Sequence, residues 1–154
     1  INLAMSIAME LDHTVLLVPD FQGAPQVYAG VSQTPGFQDD VRLQSRFQNP
    51  SFLAFNQADG SLYVSDSVNN RIRRIQPGAG GRVETVAGTG AAGSLDGSLT
   101  AATFNNPQGL ALDKSGNDET FQCPSCAWRL TFAHQADTKH RAPIAASRDS
   151  HLPG

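Results

Sequence analysis

Lysine is nearly missing from this chain, with Lys114 and Lys139 its two examples, so its basic charge is mostly arginine. The formal net charge of −3 leaves no overall field that would gather nucleic acid. Cysteine is as scarce. Cys123 and Cys126 fall in one short segment and cannot make a disulfide framework. No apolar run approaches the roughly 18 residues of a membrane-spanning helix, and no charged leader precedes an apolar core as in a signal peptide. The first residue is Ile1 rather than Met, as expected of a processed product or a fragment, so localisation is left unassigned. No Ser-His-Asp arrangement, P-loop or HExxH is present, and no catalytic residue is assigned.

What the chain does have is turns. Its 154 residues are 40% hydrophobic and include 14 Gly and 9 Pro, a composition that suits one turn-rich globular domain. The clearest stretch runs from Asp59 to Ile75. Asp59-Gly60 is a hairpin signal, because Gly tolerates positive φ and Asp bonds its own backbone. Alternation over residues 61–65 then places Leu62 and Val64 on one face. Asn69-Asn70 and Pro77-Gly78 mark two further turns. Three turns and four short strands predict one antiparallel sheet over residues 51–88. Ile72 and Ile75 are spaced by three rather than two, so their strand is expected to be bulged or to end early.

Similar blocks lie on both sides. Tyr28-Ala29-Gly30 matches Val86-Ala87-Gly88 at an offset of 58, and Phe47-Gln48-Asn49-Pro50 matches Phe104-Asn105-Asn106-Pro107 at 57. Leu53-Ala54-Phe55 likewise matches Leu110-Ala111-Leu112 at 57. Such a period is within reach of a four-stranded propeller blade. Nearer the start, Ile7-Ala8-Met9 matches Leu53-Ala54-Phe55, and Leu17-Val18-Pro19-Asp20 matches Tyr63-Val64-Ser65-Asp66, both at 46. In that alignment the first copy lacks a strand in residues 21–26. After Asn117 the pattern stops, and residues 118–154 read as an irregular tail foreign to the repeat.

Asn49-Pro50, Leu53-Ala54, Asp59-Gly60, Leu62-Tyr63-Val64, Asp66, Asn69, Arg71-Ile72-Arg73 and Val83, Thr85-Val86-Ala87-Gly88 together resemble the NHL repeat. The resemblance spans about residues 7–117. It implies an all-β fold, a partial β-propeller of four-stranded antiparallel blades: a partial blade at 7–30, a complete blade at 50–88 and the start of another at 107–117, within a propeller part at 1–117. In the family Asp66, Asn69, Arg71 and Ile72 are structural motif positions, with Arg71 expected to pair with a carboxylate. The function implied is a non-enzymatic interaction scaffold, binding a protein or other ligand on the propeller face or on the inter-blade loops at 31–49 and 89–106. No cofactor is expected. Incomplete propeller edges predict self-association.

Two alternatives stand beside this. One is a fragment of a metal-dependent propeller enzyme, lyase or lactonase-like. The other is RNA binding through Arg71, Arg73, Arg74 and Arg82, which have no acid between residues 67 and 83. Strand alternation would split that patch, with Arg71 and Arg73 on one side and Arg74 on the other, so nucleic acid is not the expected partner. Cys123, Cys126, His134 and His140 have the residue types of a zinc site. Only seven residues separate Cys126 from His134, however, where a finger needs about 12. Asp39, Asp40 and Asp96 lack the ligand series of a calcium loop. Gly88-Thr89-Gly90-Ala91-Ala92-Gly93 reads G-x-G-x-x-G, but a Gly- and Ser-rich loop follows it rather than a helix, so it is assigned to the crossing between blades.

Overall fold

The computed structural model describes residues 6–9, 12–18, 26–110, 118–123, 128–133 and 146–148, and side chains at 12–15 and 26–110. Among these residues there is no helix. At the centre is a four-stranded antiparallel sheet in chain order, formed by β4 (Pro50–Phe55), β5 (Leu62–Asp66), β6 (Arg71–Ile75) and β7 (Val83–Ala87). Before it, β1 (Ser6–Met9), β2 (Val15–Val18) and β3 (Gln26–Ala29) form a three-stranded sheet. Beyond residue 117, β8 (Asp118–Cys123), β9 (Trp128–Ala133) and β10 (Ala146–Arg148) pair in a third sheet, in the order β10-β9-β8.

The turns of the central sheet fall where the sequence chemistry puts them. Asp59 accepts from the Ser61 amide at 2.8 Å, and Gly60 takes φ +76°. Asn70 takes φ +52°, a conformation Asn tolerates better than most residues. The sheet is buried on both faces. Leu62, Val64, Ile75 and Val83 pack with Phe47 and with Val15 and Ala29 of the first sheet. Tyr63, Ile72 and Ala87 pack on the other side with Ala102, Phe104 and Leu110. This resolves the odd spacing of Ile72 and Ile75. Strand β6 is continuous, and the two isoleucines serve opposite faces, each fully buried. The bulge lies in β7, where Ile72 pairs with Ala87 but Arg73 with Thr85, leaving Val86 extra.

The same bulge corrects the alignment of the first copy. In the first sheet Val15 pairs with Ala29 but Leu16 with Val27, leaving Tyr28 extra. Strands β2 and β3 are therefore the counterparts of β6 and β7, and β1, which pairs with β2, is the counterpart of β5. The offset is about 57 throughout, not 46. The likeness of Leu17-Val18-Pro19-Asp20 to Tyr63-Val64-Ser65-Asp66 is a coincidence of strand composition. The strand at the third position is β2 itself, and the described sheet lacks a counterpart of β4.

The two junctions repeat atom by atom. Gly30 and Gly88 have φ +100° and +96°. A Cβ on Gly30 would lie 3.2 Å from Phe47 and 3.1 Å from the His13 carbonyl; on Gly88 it would lie 2.9 Å from Phe104 and 2.5 Å from the Asn70 carbonyl. Each turn residue accepts from the next blade's leading amide. His13 Nδ1 accepts from Asn49 at 3.2 Å, and Asn70 Oδ1 accepts from Asn106 at 2.8 Å.

Beside His13, the Asp12 carboxylate accepts from the Thr14 hydroxyl at 2.6 Å, the Thr14 amide at 3.2 Å and Ser32 Oγ at 2.9 Å. The Thr14 hydroxyl, first among these, holds the Asp12 carboxyl below its ordinary value of 3.8. A depressed carboxyl stabilises the fold above the unfolded value and loses that contribution as pH falls through the folded one. The stability gap between the native chain and Asp12→Asn is therefore expected to be constant near neutrality and to shrink below pH 3.8. Urea denaturation of both proteins across that range checks it.

Candidate functional site

The motif residues converge on the face of the central sheet that meets the first sheet. Asp66 ends β5 and Arg73 sits in β6, with Val64 directly opposite Arg73 in the ladder. Both charged side chains are fully buried and pair at 2.8 Å. The 31–49 loop folds across them. Arg73 Nε donates to Asp39 Oδ1 at 2.9 Å, and Nη2 donates to the Gln38 carbonyl at 2.8 Å and pairs with the same Asp39 oxygen at 2.6 Å. Nη1 donates to Asp66 Oδ2 at 2.8 Å and to the Arg46 carbonyl at 3.1 Å. The rings of Phe37 and Phe47 lie 4.9 and 5.0 Å from the guanidinium carbon. All five N–H groups of the arginine are thus spoken for.

Asp66 is satisfied just as completely. Its Oδ1 accepts from the Gln48 amide at 2.8 Å, and its Oδ2 accepts from Asn69 at 2.9 Å as well as from Arg73. Burial pushes its carboxyl up, opposed by the Gln48, Asn69 and Arg73 donors. Asn69 spends its other amide hydrogen on the Gly36 carbonyl at 2.8 Å. Asp39 Oδ2 accepts from the Thr85 amide at 3.1 Å, tying the loop to β7 as well.

Arg71 was expected to find a carboxylate. It instead donates to the carbonyls of Asn69 at 3.2 Å and Thr89 at 2.8 Å and stacks on Phe37 at 3.8 Å. The carboxylate-bearing site belongs to Arg73, two residues on, because that position lies opposite Val64, deep in the sheet. Ile72 is a core residue of the opposite face.

The four arginines do not form one surface. Arg73 is corrected out of the proposed basic patch, since it is fully buried in its ion pairs. Arg71 is bent onto the loop. Arg74 lies on the other face, paired with Asp59 at 2.8 Å and Glu84 at 3.4 Å. Arg82 is 59% exposed and 3.9 Å from Asp40. Arg74 is half-buried and its Nε also donates to Ser61 Oγ at 3.0 Å, so its pairs are only partly screened. Arg74→Ala is expected to cost about 1–2 kcal/mol, less than the effect argued below for Arg73, and thermal denaturation of both variants checks the order.

Cys126, His134 and His140 lie outside the described residues, as does the side chain of Cys123. Among the described residues no three His, Cys, Asp or Glu side chains converge. Asp39 and Asp40 are engaged by Arg73 and by the Val41 amide and Gln38. The G-x-G-x-x-G amides of Gly88, Thr89 and Gly93 donate to Leu99, Ala102 and Phe104 carbonyls. That segment is a crossing loop, folded on itself. Also among the described residues, no helix is long and apolar enough to cross a membrane.

A four-stranded antiparallel sheet, buried on both faces by neighbours at a period near 57, is a blade of a β-propeller. Residues 47–75 carry the NHL repeat, matching that family over β4, β5 and β6. NHL repeat-containing protein 2 of Bos taurus is 38% identical over 82 residues, which is 53% of this chain and 11% of that protein. Protein SUPPRESSOR OF QUENCHING 1, chloroplastic, of Arabidopsis thaliana is 39% identical over 82 residues, 53% of this chain and 8% of that protein. The chain thus spans about a tenth of these relatives. Among solved structures, an auxiliary nutrient binding protein from Bacteroides thetaiotaomicron superposes with a TM-score of 0.65 at 24% identity, covering 77% of this chain and 32% of that one. Its counterpart from Bacteroides ovatus gives 0.59 at 24%, covering 73% and 30%. At these identities the likeness is one of fold.

Proposed function

We propose that the chain is a non-enzymatic interaction scaffold whose inter-blade loops or propeller face bind a protein partner. The observation that carries this is the internal use of the motif. Asp66, Asn69, Arg71 and Arg73 spend their polar atoms on the chain's own loop, leaving the loops to meet a partner. Leu43 and Leu95, one on each crossing loop, are 62% and 64% exposed. Phe52 and Phe55 are also exposed along β4, the edge strand of the blade. With this reading goes a division into a propeller part at 1–117 and an atypical tail at 118–154.

A turnover screen of the purified chain against hydrolase and lyase substrate panels tests it. The expected result is no turnover above buffer. Turnover abolished by one polar substitution outside the buried Arg73 cluster would overturn the reading.

A further inference from the structure

Arg42 stands at a fixed point between the first two blades. Its carbonyl accepts from the Gly30 amide at 2.8 Å and from Ser45 Oγ at 2.7 Å, and its amide donates to the Gly81 carbonyl at 3.0 Å. Its guanidinium carbon lies 4.2 Å from the centre of the Tyr28 ring, which packs against the core of the junction. With backbone and ring both held, the guanidinium has little freedom left to lose. It nevertheless has no carboxylate or carbonyl partner among the described residues, and its Nε is buried without an acceptor. A buried donor left in that state costs stability, and native structures rarely carry one without a reason.

The second junction shows that the repeat does not need this charge. Gly88 donates to the Leu99 carbonyl as Gly30 does to that of Arg42. Val86 is the extra residue of the β7 bulge, as Tyr28 is of the β3 bulge. Leu99 and Val86 both pack against the adjoining apolar cluster. One junction therefore has a leucine and a valine where the other has an arginine on a tyrosine. The charge at position 42 is an addition to the repeat, and among the described residues the fold gains no ion pair from it.

We infer that Arg42, with Tyr28 as its platform, is the docking point for a carboxylate on an acidic segment of a partner protein. The inference rests on the scaffold reading and names the chemistry that its partner carries. A guanidinium held flat on a ring leaves its Nη hydrogens in a fork that matches the two oxygens of a carboxylate. Arginine and tyrosine are also the common anchors of protein interfaces. Leu43, the next residue, is 62% exposed and adds an apolar side chain to the same stretch of loop. A phosphate-bearing chain fits less well, because it calls for several cations along one stripe. Arg82 instead faces Asp40 at 3.9 Å, Arg73 is buried, and the whole chain carries a net charge of −3.

Nuclear magnetic resonance titration of the full chain with a hexaglutamate peptide, at constant ionic strength, tests this. The probe signal is the Arg42 Nε–H, assigned by its loss in Arg42→Leu. The expected result is a saturable shift of that signal. Peptide affinity should be about tenfold weaker in Arg42→Leu, which keeps the apolar stem but loses the charged hydrogen bonds. The same variant should melt no lower than the native chain, since leucine serves at the repeat-related position. An unmoved Arg42 signal, equal peptide binding by Arg42→Leu, or a lowered melting temperature would each overturn the assignment, the last by making the arginine structural. Binding of glutarate or of a uridine oligonucleotide as tight as that of the peptide would overturn it too, the first in favour of a small acid and the second of nucleic acid. Turnover with intact peptide binding defeats the scaffold reading alone, and absent peptide binding without turnover defeats this inference alone.

Discussion

Replacing Arg73 with leucine is expected to lower the unfolding free energy by about 3–5 kcal/mol. The substitution strands the fully buried Asp66 carboxylate, which keeps its Gln48 and Asn69 donors but loses its countercharge. It also removes the countercharge of Asp39, which keeps the Thr85 amide, while the Gln38 and Arg46 carbonyls each retain a partner in the other. Those partners limit the damage to the ions themselves. Adding Asp66→Leu should therefore recover at least half of the loss, because an apolar pair of similar volume often replaces a buried ion pair without penalty. In the register of the first sheet Leu16 stands at the corresponding position. Urea denaturation of the single and double variants measures both effects. A single variant within about 1 kcal/mol of the native chain would place Arg73 among ordinary surface pairs and contradict the geometry.

Phe47→Ala is expected to cost a similar 3–5 kcal/mol, for a different reason. The ring is fully buried where two blades and their connecting loop meet, touching a core of Val15, Ala29, Leu62, Val64, Ile75 and Val83. Its removal leaves a cavity that two backbones fixed by their own ladders cannot collapse to fill. Phe104 occupies the repeat-related position and is likewise buried, in a cluster with Tyr63, Ile72, Ala87, Ala102 and Leu110. Phe104→Ala is expected to cost a comparable amount, about 3–5 kcal/mol, and calorimetric melting of the two variants measures both.

The sequence made the central blade legible because its information is local. Asp59-Gly60 and Asn69-Asn70 encode their turns in adjacent residues, and the alternation of Leu62 and Val64 encodes a face. The first blade was harder. Short apolar strands resemble one another at several offsets, and what fixes the register is the bulge pairing of Val15 with Ala29, which composition does not carry. The arginines illustrate the same limit. Arg71, Arg73 and Arg74 look alike in the chain, and alternation does separate Arg74 from the other two. It does not say that Arg73 is the buried one, because its partner Asp39 lies 34 residues earlier in a loop without regular structure. One signal was present: Asp39 and Asp96 share the period of the repeat. Reading it requires knowing that the crossing loop folds onto the next blade.

Arg73 is a structural clip that makes the 31–49 loop and the blade one cooperative unit. Native-state hydrogen exchange tests it most directly at the amides of Arg42 and Val83, which bond across the loop–blade seam, and of Gln48, which bonds to Asp66. These amides are expected to be protected to the same degree as the β5–β6 ladder, and in Arg73→Leu to lose protection well before the ladder does. Seam amides that exchange freely in the native chain, or whose protection is unchanged when Arg73 is removed, would contradict it.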